Sequence, residues 1–156
     1  MKTTTIGLNK EESNTMVIAL NELLSDFQMY YQNLRGLHWN IKGKNFFELH
    51  LKFEELYNDA QLKIDLIAER ILTLEGQPLH TFQDYIAHAK IAEAKNVSND
   101  EKALQVIVKS LTVILEIERK ILETSDKAQD EGTNSMMSNF ISEQEKIVWM
   151  LKAWLA

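Results

Sequence analysis

The sequence predicts an all-α fold in which four long helices form two hairpins. Apolar residues recur every three or four positions over four long segments, the spacing of one buried helix face. The chain has one proline and five glycines in 156 residues, too few breakers for a fold of many strands. The first and last connections between the segments are short, whereas the middle one, residues 75–98, is long.

The first two helices are predicted at about residues 10–38 and 46–74. Asn9, with Glu12 three residues later, is a typical capping start for the first helix. The second helix is expected to stop at Gly76–Pro78, where a glycine just past the helix end is followed by a proline. Because only a few residues join these helices, they must be antiparallel neighbours.

The last two long helices are predicted at about residues 99–131 and 134–155. The segment Ser98–Glu101 reads as a capping box, and Gly132 marks the end of the third long helix. The long crossover holds a segment, residues 81–88, that can form a short helix of its own. Two hairpins joined by one long crossover are the connectivity of a ferritin-like four-helix bundle, here one domain over residues 1–156.

The composition excludes several classes of function. Without cysteine, the chain can form no disulfide, thiolate metal site or thiol nucleophile. It has no basic-then-apolar leader and no apolar stretch long enough to span a bilayer, so we expect a cytoplasmic location. The net charge of −6 argues against tight binding to a nucleic-acid backbone, which requires clustered Lys and Arg.

Four candidate metal ligands share one side of the second helix. With His50 at zero on a helical wheel, Glu54 falls near ~40°, Asp65 near ~60° and Glu69 near ~100°. Acidic residues alone would usually mean a solvated face. His38, however, ends the first helix, and the short turn brings it close to His50. Imidazole together with carboxylates is the ligand set expected for iron or another borderline divalent ion.

The spacing requires two chains to build such a site. His50 and Asp65 lie 15 residues apart on one helix, which is roughly 22 Å along the axis, so one ion cannot touch both. Two copies of this helix, packed antiparallel about a two-fold axis near residues 58–60, would place His50 of one chain opposite the Asp65–Glu69 segment of the other.

Several segments resemble the signature of the Dps family, mini-ferritins named as DNA-binding proteins from starved cells. They are Leu37–His50 (LHWNIKGKNFFELH), Phe53–Tyr57 (FEELY), Ile64–Ile71 (IDLIAERI), Asp130–Thr133 (DEGT) and Glu143–Lys152 (EQEKIVWMLK). The resemblance covers nearly the whole chain, from about Asn9 to Ala156. The His-Trp pair followed by His, Asp and Glu at these spacings is highly specific.

The resemblance implies a hollow shell of twelve subunits with dinuclear iron sites at its two-fold interfaces. By position, His38, His50, Asp65 and Glu69 would be the ferroxidase ligands, and Glu54 the further carboxylate. The family typically oxidises Fe(II) with hydrogen peroxide rather than dioxygen and stores ferric oxide in the cavity. Removing iron and peroxide together would protect DNA from oxidative damage.

Other residues have alternative interpretations. Trp39 is expected either to exchange an electron near the metals, as the resemblance implies, or to pack at an interface. Arg70 is expected to form a structural ion pair rather than to touch iron. His80 and His88, in the crossover, match no ligand of the family and are expected to be surface or packing residues.

The resemblance also suggests a pore through which iron enters, lined by acids at the start of the last helix. Asp126, Asp130 and Glu131 are the candidates. The following turn reads Asn134-Ser135, where an aspartate is common in the family. We therefore expect iron to enter more slowly or with fewer carboxylates.

Two rival functions follow from the same sequence. A nucleoid-associated, DNA-compacting protein would need a tail rich in Lys or Arg, but residues 1–10 contain two lysines and the C-terminus shows no extension after Leu155-Ala156. Few cations release few counterions, so direct DNA binding is expected to be weak or absent. A non-catalytic scaffold bundle is the third interpretation, and the intact ligand set argues against it.

Overall fold

The computed structural model describes residues 2–156, which form five helices and no strand. The helices are α1 (Lys10–Asn40), α2 (Phe46–Thr73), α3 (Phe82–His88), α4 (Asp100–Lys127) and α5 (Glu131–Leu155). α1 pairs with α2, α4 pairs with α5, and α1 also contacts α4 and the short α3 of the crossover. The predicted all-α architecture of two hairpins and a helical crossover is confirmed.

Side-chain caps mark the starts of α1, α3, α4 and α5, whereas α2 begins without one. The Asn9 side chain accepts a hydrogen bond from the Glu12 backbone N–H (3.0 Å), as its position predicts. At the start of α4 the cap is Asn99, which accepts from Lys102 N–H (3.0 Å), one residue beyond the predicted Ser98. Each cap satisfies a backbone donor that has no partner within the helix.

The predicted boundary between the last two long helices is wrong by a few residues. α4 ends at Lys127 rather than 131, and α5 begins at Glu131 rather than 134. Gln129, not a glycine, takes the left-handed conformation (φ 55°) that ends α4. Gly132 lies in the first turn of α5, where an added Cβ would stand 2.7 Å from the Arg70 guanidinium. The absence of a side chain at Gly132 therefore allows the Arg70 guanidinium to pack closely against the backbone, and this glycine does not end a helix.

α2, like α4, ends at a residue other than glycine in the left-handed conformation. Glu75 adopts the left-handed conformation (φ 65°), and the Gly76 N–H donates to the Ile71 carbonyl (2.9 Å) to close the helix. A Cβ on Gly76 would lie 2.5 Å from a methyl group of Val17 on α1. The glycine predicted as the helix stop is therefore needed for contact between α1 and the end of α2.

The core lies between the four long helices. Its fully buried side chains include Leu20, Leu34, Phe53, Ile67, Leu104, Ile114 and Met137. Burying each large apolar side chain contributes roughly 1.5–3 kcal/mol, so the core carries most of the fold's stability. No helix in residues 2–156 combines the length and the apolar character that crossing a bilayer requires.

The N-terminal segment is held against the end of α2. Glu75 accepts a hydrogen bond from the Thr5 backbone N–H (2.7 Å) and forms an ion pair with Lys10 (2.7 Å). These two donors, the lysine first, lower the pKa of Glu75 to about 2. The carboxylate is therefore ionised, and the contact persists, throughout the physiological pH range.

A buried acid on α4 lies among the apolar side chains of the core. Glu118 on α4 is fully buried and accepts a hydrogen bond from the Gln144 side-chain amide on α5. Burial raises the pKa of Glu118 to about 8, against an ordinary value of 4.5. Glu118 Oε2 and Gln144 Oε1 are both buried without a partner. A proton on the carboxyl group supplies the donor that this acid–amide pair lacks, so Glu118 is neutral at pH 7.

We predict that Glu118→Gln stabilises the protein in a pH-dependent manner. A raised pKa in the folded state means that the stability present below about pH 4.5 is lost as the pH rises through about 8. Glutamine does not titrate. The free energy of unfolding of the variant should therefore exceed that of the parent by on the order of 1–3 kcal/mol at pH 8.5 and by much less at pH 5. Denaturation followed by circular dichroism measures the difference.

The control is Glu116→Gln, two residues away on the exposed side of α4. It should change stability little at either pH, because an exposed carboxylate is well solvated in both states. A stability difference for Glu118→Gln that does not depend on pH would contradict the neutral acid–amide pair.

Candidate metal centre

Two histidines meet across the turn between α1 and α2. His38 lies in the last turn of α1 and His50 near the start of α2, and their rings stack with centroids 3.7 Å apart and planes 12° from parallel. His38 Nδ1 lies 2.6 Å from the His50 carbonyl oxygen, and His50 Nδ1 lies 2.7 Å from the His38 carbonyl oxygen. The predicted closeness of these residues is confirmed.

This reciprocal bonding places a hydrogen on the Nδ1 atom of each ring. A carbonyl oxygen can only accept, so each Nδ1 must carry the hydrogen and donate it. In the neutral imidazole the lone pair then lies on Nε2, on the opposite side of the ring. A backbone acceptor for one nitrogen is the arrangement that commonly orients a metal-binding histidine. Both rings are therefore prepared to bind a cation through Nε2.

Two aromatic residues hold the histidine pair in place. Phe46 stacks near His50, with centroids 4.9 Å apart and an interplanar angle of 19°. Tyr57 presents an edge-to-face contact to His38, with centroids 5.4 Å apart. Packing on these rings restricts rotation about the histidine side-chain bonds, so both imidazoles are held in one orientation.

Glu54 lies one helical turn beyond His50 and is half-buried beside Tyr57. The Tyr57 hydroxyl donates to Glu54 Oε1 over 3.4 Å. Burial of the ring, together with the charge of Glu54, raises the pKa of Tyr57, so the hydroxyl stays protonated and remains a donor at neutral pH. The structure thus brings three of the predicted ligands, His38, His50 and Glu54, to one end of α2.

The other two predicted ligands, Asp65 and Glu69, lie exposed toward the far end of α2. Asp65 lies 15 residues and Glu69 19 residues beyond His50. These spacings correspond to roughly 22 Å and roughly 28 Å along the helix axis. Within residues 2–156 of one chain, no three His, Asp or Glu side chains come together in a group that could hold a metal ion. Within one chain, the predicted histidine ligands and the predicted ligands Asp65 and Glu69 therefore lie in two separate places.

The exposed face of α2 is also apolar, which the sequence reasoning missed. Large apolar side chains on it remain open to solvent in the single chain: Phe47 (85% exposed), Leu51 (55%), Leu62 (67%), Leu66 (47%) and Leu72 (58%). On the helical wheel these positions lie on the same side of α2 as Asp65 and Glu69. Exposed apolar patches of this kind mark interaction surfaces. The signal in the sequence is a second set of apolar residues on α2, outside the buried stripe.

Arg70 forms the structural ion pair that the sequence predicted. Its Nη2 lies 2.5 Å from Asp130 Oδ1, and its Nε donates to the Thr133 hydroxyl (3.0 Å). Asp130 is buried and caps α5 through the Thr133 N–H (3.0 Å). Of the three predicted pore residues, Asp130 is thus bound within the chain, whereas Asp126 and Glu131 are exposed.

The remaining residues singled out by the sequence lie at the surface. Trp39 is 57% exposed, with the Arg35 guanidinium 4.9 Å from its ring centroid. His80 and His88 are exposed, as predicted, and each places its Nδ1 against a nearby backbone carbonyl, that of Pro78 or Asp84. Neither histidine lies in a metal-binding group of the described residues.

Comparisons with known proteins agree with this fold. A model of the ferritin-like domain matches residues 18–156. The chain is 43% identical to the DNA protection during starvation protein of Porphyromonas gingivalis, over 95% of this chain and 93% of that protein.

Two solved structures are similar over the full chain. The Dps protein of Vibrio cholerae, described as a member of a broad superfamily of ferritin-like diiron-carboxylate proteins, superposes with a TM-score of 0.99. It is 49% identical, with 100% of this chain and 98% of that chain covered. A Dps protein from Bacillus brevis gives a TM-score of 0.91 at 33% identity, with both chains fully covered. The chain therefore belongs to the Dps family of ferritin-like proteins.

Proposed function

We propose that this chain is a ferroxidase and iron-storage subunit. Two copies form a dinuclear site at which hydrogen peroxide oxidises Fe(II), and a closed shell of twelve copies stores the ferric oxide. The observation that carries the proposal is the stacked pair of His38 and His50, whose Nδ1 atoms are held by backbone carbonyls so that the Nε2 atoms remain as potential ligands. Membership of a family that includes diiron-carboxylate proteins supports iron as the metal.

A second copy completes the site. A two-fold axis near Asn58–Ala60 sets His38 and His50 of one chain opposite Asp65 and Glu69 of the other. The same packing buries the exposed leucines of α2 against their counterparts, which provides the driving force for association. Closed symmetry is the usual solution for such a self-complementary face. The dodecamer extends this symmetry, as the family resemblance implies.

A dinuclear site suits the proposed oxidant. Hydrogen peroxide needs two electrons to become water, and each Fe(II) supplies one. Two Fe(II) ions, one peroxide and two protons therefore give two Fe(III) ions and two water molecules, with no hydroxyl radical left over. Glu54, Asp65 and Glu69 supply negative charge for the more highly charged Fe(III). DNA would be protected by removal of both reagents that form the radical.

Iron uptake is proposed to run through the start of α5. Asp126 and Glu131 are the exposed acids there, while Asp130 is held by Arg70. Asn134 donates to the Leu122 carbonyl (3.1 Å), so it contributes structure rather than charge. Trp39, exposed next to His38, is proposed either to exchange an electron with the site or to pack against a neighbouring subunit.

Direct DNA compaction is the alternative, and two observations argue against it. The net charge is −6. Lys10, one of two lysines in residues 1–10, is bound to Glu75, and the N-terminal segment packs on the end of α2. A pinned segment with few cations offers DNA little attraction.

The first prediction from this proposal tests whether His38 and His50 bind the iron. Changing His38 and His50 together to alanine should slow peroxide-driven oxidation of Fe(II) by about 10–100-fold, because the nitrogen ligands are lost. Formation of ferric product under anaerobic conditions, followed by ultraviolet absorbance, measures the rate. The control changes His80 and His88 to alanine and should oxidise iron at the parent rate. A correctly assembled His38/His50 variant with the parent rate would refute the assignment.

The second prediction tests the two-chain site. One variant lacks the histidines (His38→Ala, His50→Ala), another lacks the acids (Asp65→Ala, Glu69→Ala), and each alone should be nearly inactive. In a mixed dimer one site is doubly deficient and the other is intact. Random mixing makes half the dimers mixed, so co-refolding should restore about a quarter of the sites.

Mass spectrometry verifies that mixed dimers form. No arrangement within a single chain restores activity, because neither variant carries a full ligand set. Mixed dimers that remain inactive would therefore rule out a site shared between chains.

The third prediction concerns DNA. Gel shifts at neutral pH and roughly 0.15 M salt should show little or no complex, whereas DNA nicking by iron and peroxide should be suppressed. Nicking should return with the variant that lacks His38 and His50. Tight DNA binding at that salt concentration would support the compaction role instead.

A further inference from the structure

We propose that Tyr57 is a positioning residue that holds Glu54 at the second metal position of the site. The proposal rests on the proposed ferroxidase function and adds a residue outside the five ligands. Tyr57 is the side chain that contacts both kinds of ligand within one chain, a histidine through its ring and a carboxylate through its hydroxyl.

The hydroxyl determines where Glu54 lies. Tyr57 is three residues beyond Glu54 on α2, a spacing that places the two side chains on neighbouring helix positions. The donor–acceptor distance of 3.4 Å is longer than an ordinary O–H···O bond of about 2.5–3.0 Å. A contact of this length restrains the carboxylate beside Tyr57 and still allows it to move onto a cation.

The ring of Tyr57 is itself fixed by packing. Its edge meets the face of His38, and Tyr31 on α1 packs against it with centroids 6.0 Å apart at 77°. The Arg35 guanidinium lies 5.4 Å from the Tyr31 ring centroid and adds a further contact behind it. Because α1 residues hold the ring, the hydroxyl is a stationary donor toward the flexible Glu54.

The consequence is specific to one of the two metal positions. The histidines are oriented by each other's carbonyl oxygens, so the ion they bind does not depend on the Tyr57 hydroxyl. Without the hydroxyl, Glu54 regains freedom of rotation, and binding must order it again at a cost in free energy. The ion bound by Glu54 should therefore lose affinity, whereas the ion bound by the histidines should not.

Cobalt(II) titration of the assembled protein tests this difference, since Co(II) accepts imidazole and carboxylate ligands and has visible absorption bands. The parent should bind two Co(II) per chain. Tyr57→Phe keeps the ring and removes the hydroxyl, and it should weaken the second Co(II) by about tenfold while leaving the first unchanged. Tyr31→Phe, which removes a hydroxyl from the neighbouring ring, is the matched control and should match the parent.

A double-mutant comparison shows whether Tyr57 acts through Glu54. Tyr57→Phe introduced into Glu54→Gln should cause no further loss of the second Co(II). Equal binding curves for Tyr57→Phe and the parent would overturn the positioning role while leaving the ferroxidase proposal intact. Equal weakening of both ions, or an additional loss in the double variant, would also overturn it. A parent that binds no Co(II) would overturn both proposals.

Discussion

The reciprocal hydrogen bonds between His38 and His50 are the interaction on which the site depends. Each ring nitrogen donates to the other residue's backbone carbonyl, so the pair both ties the end of α1 to the start of α2 and sets the tautomer of both rings. The carbonyl of His38 belongs to the last turn of α1, where helix carbonyls have no partner within the helix. The hydrogen bonds that close the hairpin therefore also orient the two histidines proposed as metal ligands.

The rest of α2 explains why one chain is insufficient. Its inward face is buried in the core, and its outward face mixes exposed leucines with Asp65 and Glu69. A helix that is apolar on two sides has more surface to bury than its own bundle can cover. A second copy can bury the leucines and also place its acids opposite the histidines. Association and completion of the site are thus linked by the geometry of one helix.

Much of the fold and of the site could be predicted from the sequence, because helical periodicity and capping are local. The Asn9 cap, the long crossover and the closeness of His38 to His50 all follow from spacing. The role of Gly132 could not be predicted, because it depends on where the Arg70 side chain packs, although the Asp130 cap that begins α5 is local. The contact of Tyr57 with His38 was likewise invisible, since it joins two helices. Tertiary contacts decided both outcomes.

The bundle interior of this chain is poorly suited to binding a cation. Ferritin-like bundles can hold metals between their helices when several carboxylates project inward. Here the interior carries Glu118, held neutral beside Gln144, and the buried ammonium of Lys63, which is paired at 2.7 Å with both Asp59 and Glu143. An incoming cation would have to ionise the acid and approach a fixed positive charge in a medium of low polarity, where repulsion is strong. At the α2 surface the same cation meets imidazole lone pairs and solvated carboxylates, so binding there requires no buried charge to be displaced.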